Sequence, residues 1–166
     1  MTRIGVLSDT HLPDSPEASA FLARIAERHF PQATVILHAG DIVAPDVLTV
    51  FAPRLVFAVR GNMDAAAPDL PHLRVVEAGG VRIGLIHGWG PPGGLVERVR
   101  REFAGTMLDC LVFGHSHMPL CERQGGLLLF NPGSATDPRQ MPYASIGVLE
   151  VEEGQVSGRI IPLEIC

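Results

Sequence analysis

The sequence predicts an α/β domain built on one mixed sheet or two stacked sheets with helices outside, and three observations carry that expectation. Short apolar runs recur along the chain, each closed by polar residues or glycine. Helical patterns separate these runs through the first two thirds, and from Leu127 onward only strand patterns remain. At 166 residues the chain is long enough for a single sizeable core, and 1–166 reads as one domain with no internal repeat, low-complexity stretch or linker.

In chain order, strands are expected at Arg3–Ser8, Thr34–His38, Leu55–Val59, Arg74–Glu77, Val81–His87, Asp109–Phe113, Leu127–Phe130, Ser145–Val151 and Val156–Leu163. Their Val, Ile, Leu and Phe content lacks strict alternation, as expected of strands buried on both faces. Ser15-Pro16-Glu17 opens a helix as a cap followed by proline in the first turn, and Phe21, Leu22, Ile25 and Phe30 mark its apolar face. Pro45 opens a short second helix through Phe51. A third runs from about Gly94 to Phe103, with Leu95, Val99 and Phe103 at i, i+4 and i+8.

Composition narrows the function. Hydrophobic residues make up 46%, charged residues 19%, and mean hydropathy is +0.24, a globular balance. All 13 basic residues are Arg, which excludes a Walker-type phosphate loop, a Schiff-base lysine and a lysine general base. A net charge of −5 opposes extended nucleic-acid binding. Cys110, Cys121 and Cys166 form an odd set without CxxC spacing, unlike a disulfide scaffold or zinc ribbon, and point to a reducing cytosol. The first residues lack a secretory pattern, and no run approaches the roughly 18 apolar residues of a membrane span. A cytoplasmic protein with no membrane partner is expected.

The chemistry sits just past the apolar runs. Asp9-Thr10-His11 follows the first, Gly40-Asp41 the second and Gly61-Asn62-Met63-Asp64 the third; His87 ends the fifth, and the sixth leads into Gly114-His115-Ser116-His117. In α/β sheets ligands bind beyond the carboxyl ends of strands. Two Asp, one Asn and four His offer oxygen and imidazole donors without thiolate, a set suited to Mn²⁺, Fe, Zn²⁺ or Ni²⁺ rather than a closed structural zinc. Seven donors are too many for one ion and about right for two sharing a carboxylate.

In that order, DxH, GD, GN, a lone His and GHxH resemble the calcineurin-like metallophosphoesterases. The Asn131-Pro132-Gly133-Ser134 segment resembles their small YfcE-type phosphodiesterase subgroup in particular. The resemblance spans residues 4 to about 140. It implies a four-layer α/β/β/α sandwich with mixed sheets and the metal site at the carboxyl ends of the strands. It also implies one ion on Asp9, His11, Asp41 and His117 and a second on Asp41, Asn62, His87 and His115, with Asp41 bridging. Manganese is the expected ion, with Ni²⁺, Fe, Co²⁺ or Zn²⁺ as alternatives. Asp41, Asn62 and His87 would act catalytically through the ions and a bridging hydroxide attacking phosphorus in line. The large family carries His where this chain has Met63, and the subgroup usually Cys. Met63 can neither stabilise a phosphate nor protonate a leaving group, which favours substrates with good leaving groups, or protonation by water. Asp64 fits the acidic position closing that motif, as an orienter behind the ligands.

Other residues carry alternatives. His38 suits packing beneath the site or a place behind a ligand, while His29 suits a helix end and His72 the surface. Arg60 and Arg139 are within reach of a substrate phosphate or of solvent-facing salt bridges. The Gly88–Gly94 loop suits a lid with Trp89 stacking on a substrate, or a Pro/Gly-shaped turn with Trp89 covering the core edge. The expected function is a dinuclear phosphodiesterase acting on a small or nucleotide-like diester, with a homo-oligomer left open. Alternatives are a phosphomonoesterase, a dinucleoside polyphosphate hydrolase, or a non-catalytic protein-binding scaffold like the phosphoesterase-like subunit of the retromer coat. A full donor set separates an enzyme from a scaffold.

Overall fold

The computed structural model describes residues 1–164, so Cys166 lies outside it. Among the described residues, ten strands form two five-stranded sheets. The first holds β1 (Thr2–Leu7), β2 (Val35–His38), β3 (Leu55–Ala58), β9 (Ala144–Glu152) and β10 (Gln155–Leu163), in the order β10-β9-β1-β2-β3. The second holds β4 (Leu73–Ala78), β5 (Val81–Ile86), β6 (Cys110–Val112), β7 (Leu120–Gln124) and β8 (Leu127–Asn131), in the order β4-β5-β6-β8-β7. Both are mixed. The parallel centres are β1–β2–β3, in register Leu7↔His38↔Ala58, and β5–β6–β8, in register Leu85↔Val112↔Phe130; antiparallel partners flank them.

Burial explains why the sheets stack. Ile4, Val6 and Leu37 of the first sheet share a core with Val76, Ile83, Val112 and Phe130 of the second. The other face of the first sheet packs on α1 (Pro16–His29) and a 3₁₀ helix at Pro45–Phe51, through Leu22, Ile25, Ile36, Val47 and Phe51. The other face of the second packs on α2 (Leu95–Glu102), through Leu95, Val99, Leu111 and Leu129. The result is the expected α/β/β/α layering, with central strands covered on both sides.

Local signals act as the sequence suggests. Ser15 Oγ accepts the Ala18 N–H at 3.1 Å, capping α1 ahead of Pro16. The α2 stripe of Leu95 and Val99 is buried, with Phe103 in the same cluster. The segment opened by Pro45 is 3₁₀ rather than α. Strand β7 was not expected: four of its five residues are exposed at a sheet edge, so LCERQ carries no apolar run. Among the described residues no helix is long and apolar enough to cross a membrane.

Candidate metal centre

The ladder of β1 ends at Leu7, that of β2 at His38, that of β5 at Ile86 and that of β6 at Val112. The chain leaving each end carries Asp9, Asp41, His87 and His115 within three residues, and both sheets present these ends to one place. The loops are tightly bent. Of eight non-glycine residues with positive φ among those described, five are Asp9, His11, Asp41, His115 and His117, at 46–70°. Such conformations cost about 1–3 kcal/mol each and gather where the surroundings over-determine them. Glycine permits the close approach: a Cβ on Gly61 would overlap Asp41 Oδ1, and one on Gly114 would lie 2.7 Å from Asp9 Oδ2.

Each carboxylate is pinned by one oxygen and turns the other toward the imidazoles. Asp9 Oδ2 accepts the Ser8 hydroxyl at 2.6 Å and the His115 N–H at 3.0 Å. Asp9 Oδ1 instead faces His117 Nε2 at 3.3 Å, His87 Nε2 at 3.7 Å and His11 Nε2 at 4.0 Å. Asp41 Oδ1 accepts the Met63 N–H at 2.8 Å, while Oδ2 lies between His11 Nε2 at 3.2 Å and His87 Nε2 at 3.4 Å.

Backbone carbonyls fix the imidazoles. A carbonyl only accepts, so the nitrogen beside it carries the proton. His87 Nδ1–H donates to Ala39 O at 2.7 Å, His117 Nδ1–H to Asp137 O at 2.6 Å and His115 Nε2–H to Gly90 O at 2.8 Å. This leaves bare His87 Nε2, His117 Nε2 and His115 Nδ1, the arrangement that orients metal-binding histidines. Asn62 Oδ1 joins the last group, 3.0 Å from His87 Nε2 and 3.3 Å from His115 Nδ1.

These atoms are acceptors turned toward acceptors. Asp9 Oδ1 and His117 Nε2 are fully buried and neither has a hydrogen-bond partner. Facing lone pairs in a buried space call for a cation or a proton between them. The residues therefore fit divalent ions, in two overlapping groups: Asp9, His11 and His117, and Asp9, Asp41 and His87. The carboxylate common to both compact groups is Asp9, while Asp41 Oδ2 reaches a histidine of each. Protonation follows the same field. Burial would hold His87 and His117 neutral, but the facing carboxylates of Asp41 and Asp9 raise both above the ordinary 6.5. Burial likewise works against charge on Asp9 and Asp41, and the pull of His117 and His87 outweighs it, lowering both carboxyls.

Asp64 touches none of the free donor atoms. Its Oδ2 accepts the Gly61 and Asp41 N–H groups at 2.8 and 2.9 Å, and its Oδ1 those of Ile42 and Val43 at 2.8 and 2.7 Å, tying the Asp41 loop to the Gly61 loop. Sequence reasoning missed the partners beyond Ser134. Ser134 Oγ donates to Asp9 O at 2.8 Å, Thr136 Oγ1 to Thr10 O at 2.8 Å, and the Asp137 carbonyl orients His117. Asn131 Nδ2 donates to Gly114 O at 3.1 Å. One loop thus buttresses the first and last donor loops; its polar run after a strand was the only signal.

His38 is fully buried beneath the site. Its Nδ1 accepts the Gly40 N–H at 3.2 Å, which puts the proton on Nε2, 3.0 Å from Thr10 Oγ1. His29 ends α1, and His72 is exposed 3.8 Å from Glu102. Arg139 lies 3.8 Å from Asp137, whose carbonyl orients His117, and its charge opposes protonation of that imidazole. The loop after His87 is tethered: Arg98 donates to the carbonyls of Trp89 and Gly93, each at 2.9 Å, and of Pro91.

Comparison with known proteins agrees with this geometry. Residues 2–154 match the calcineurin-like phosphoesterase superfamily domain. A probable metallophosphoesterase of Methanothermobacter thermautotrophicus is 38% identical over 162 residues, 95% of this chain and 91% of that protein. The phosphodiesterase YfcE of Escherichia coli K12 is 45% identical over 42 residues, 25% of this chain and 23% of that one. A solved structure described as a novel archaeal phosphodiesterase superposes with a TM-score of 0.73 at 20% identity, covering 96% of this chain and all of that one, a likeness of fold.

Proposed function

The chain belongs to the calcineurin-like phosphoesterase superfamily and is a metal-dependent phosphoesterase, and from that premise we propose that it hydrolyses small or nucleotide-like phosphodiesters at a two-metal centre. In this reading Asp9, His11, Asp41 and His117 hold one ion, Asp41, Asn62, His87 and His115 the other, and Asp41 is shared. Mn²⁺ is the proposed ion; the oxygen-and-imidazole set also suits Ni²⁺, Fe, Co²⁺ or Zn²⁺. The single observation behind it is the convergence of bare acceptors: Asp9 Oδ1, Asp41 Oδ2, Asn62 Oδ1 and the free imidazole nitrogens turn toward one another from both sheets.

Divalent ions bound there supply Lewis-acid charge for phosphoryl oxygens and acidify bound water. The chain does the positioning. Carbonyls of Ala39, Asp137 and Gly90 hold three imidazoles in the tautomer that presents a lone pair. Backbone N–H groups hold one oxygen of each aspartate, so the other keeps its direction. Asp64 locks the Asp41 loop through four N–H groups without entering the donor set. Met63 has no proton to give, so departure depends on the acidity of the leaving group. The diester choice is supported by YfcE and the archaeal neighbour, both named phosphodiesterases. Against a bare scaffold stands the complete donor set.

The test is hydrolysis of bis-p-nitrophenyl phosphate against p-nitrophenyl phosphate by chelator-stripped protein, with and without Mn²⁺. Turnover that requires metal and favours the diester supports the reading. Preference for the monoester, or no turnover with Mn²⁺, Ni²⁺, Co²⁺ or Zn²⁺, contradicts it.

A further inference from the structure

We infer that Trp89, with Met63 and Met118, forms an apolar rim on the metal centre that selects phosphodiesters whose second ester group is uncharged and aromatic or apolar. The inference rests on the diesterase reading above. Seven large hydrophobic residues are exposed among those described, and four of them stand within two positions of a candidate ligand. Val43 follows Asp41, Met63 adjoins Asn62, Trp89 follows His87 and Met118 adjoins His117. These ligands arrive from different strand ends, so the clustering reflects the site and not one sticky segment. Scattered single apolar residues are normal on a surface; a group around a functional cleft marks a binding contact.

Trp89 is the anchor because its backbone is fixed beside the site. The Arg98 guanidinium donates to the carbonyl of Trp89 itself and to those of Pro91 and Gly93 just after it. The next carbonyl, Gly90 O, accepts from His115. The Trp89 ring stands 6.1 Å from His72, tilted by 43°, and keeps 39% of its surface exposed. This is neither a lid hanging free nor a core plug; it is a held aromatic wall. Val43 adds strain, with φ of 77° in a β-branched, exposed residue whose N–H is held by Asp64.

Charge sets the class of the ester group. Arg98 is committed to loop carbonyls and Arg139 to Asp137, and the chain carries a net charge of −5. A second anionic arm gains no contact from this apolar rim, while an uncharged ring gains from covering Trp89 and the methionines.

The test uses metal-loaded protein and diesters with one shared p-nitrophenyl leaving group, the second ester being benzyl, methyl or carboxymethyl. KM for the benzyl ester is expected about tenfold below that for methyl, the scale of one aromatic contact, with carboxymethyl the weakest. Trp89→Ser is expected to erase most of the benzyl preference, and Trp89→Phe to retain it. Trp89 is the single tryptophan, so its emission reads binding directly. In Zn²⁺-loaded protein, benzylphosphonate should shift it at about tenfold lower concentration than methylphosphonate. Equal KM for benzyl and methyl in the unaltered chain, a preference that survives Trp89→Ser, or equal phosphonate titrations overturn the rim. Absence of turnover for every diester overturns the diesterase reading instead, and the titration then judges the rim alone.

Discussion

His117 Nε2 and Asp9 Oδ1 face each other across 3.3 Å, both buried and neither hydrogen-bonded, while His117 Nδ1 is fixed by the Asp137 carbonyl. A lone pair opposite a carboxylate is the feature from which the metal reading grows. In metal-free protein a proton fills that role, which is why His117 and His87 sit above 6.5.

The first prediction follows from that competition. A raised histidine stabilises the metal-free fold below the unfolded value of 6.5, and this contribution is lost as pH rises through the raised value. Metal must displace those protons, so affinity should rise with pH and binding near pH 7 should release protons. Calorimetric titration in buffers of different ionisation enthalpy checks this. At a hundredfold excess over Kd, binding should add about 2.7 kcal/mol, or roughly 5–10 °C in Tm. Asp9→Asn should lose most of the shift.

Asp64→Ala removes the acceptor for the N–H groups of Gly61, Asp41, Ile42 and Val43. Leaving such groups unpaired, part of them buried, should cost on the order of 3 kcal/mol in urea unfolding and weaken metal binding about 10–100-fold. Full stability and affinity would mean that the two loops hold each other without it.

His38 works in the opposite sense to His117. Burial pushes its imidazole down from 6.5 to about 4, against the attraction of Asp9 and Asp64. The unfolded chain therefore takes up a proton that the folded chain refuses, and stability should fall as pH drops from 6.5 toward 4, on the order of 1 kcal/mol per unit. Urea unfolding of chelator-treated protein at pH 7 and 5 measures it. His38→Gln should lessen the pH dependence, since the other groups are common to both proteins.

Arg98→Met should loosen the Trp89–Gly93 loop and, through the Gly90 carbonyl, the tautomer of His115. The expected effect is about tenfold weaker binding of one of two ions. Metal titration of this variant beside Arg98→Lys checks it.

Much of the fold was legible because it depends on burial. Ile4, Val6, Ile36, Leu37, Ile83 and Val112 are buried on central strands, so unbroken apolar runs announced them. Asp9, His11, Asp41, Asn62, His87, His115 and His117 were legible as polar residues placed just beyond those runs. Strand β7 was not, because an edge strand of exposed residues owes its place to ladder bonds with β8, which composition does not reveal. Nor were Asp137 and Gly90, which act through backbone carbonyls that every residue has. The tether on the Trp89 loop was hidden for a related reason: Arg98 is half-buried on the flank of α2, and in sequence an arginine on a short helix reads as ordinary solvation.

The most direct measurement is the number of Mn²⁺ ions bound per chain, by equilibrium dialysis of chelator-stripped protein, followed by diester turnover at each loading. The account predicts two ions, turnover that rises with the second, one ion in His115→Ala, and loss of turnover in Asp41→Asn. A single ion at saturation with full turnover, or undiminished turnover in Asp41→Asn, would contradict it.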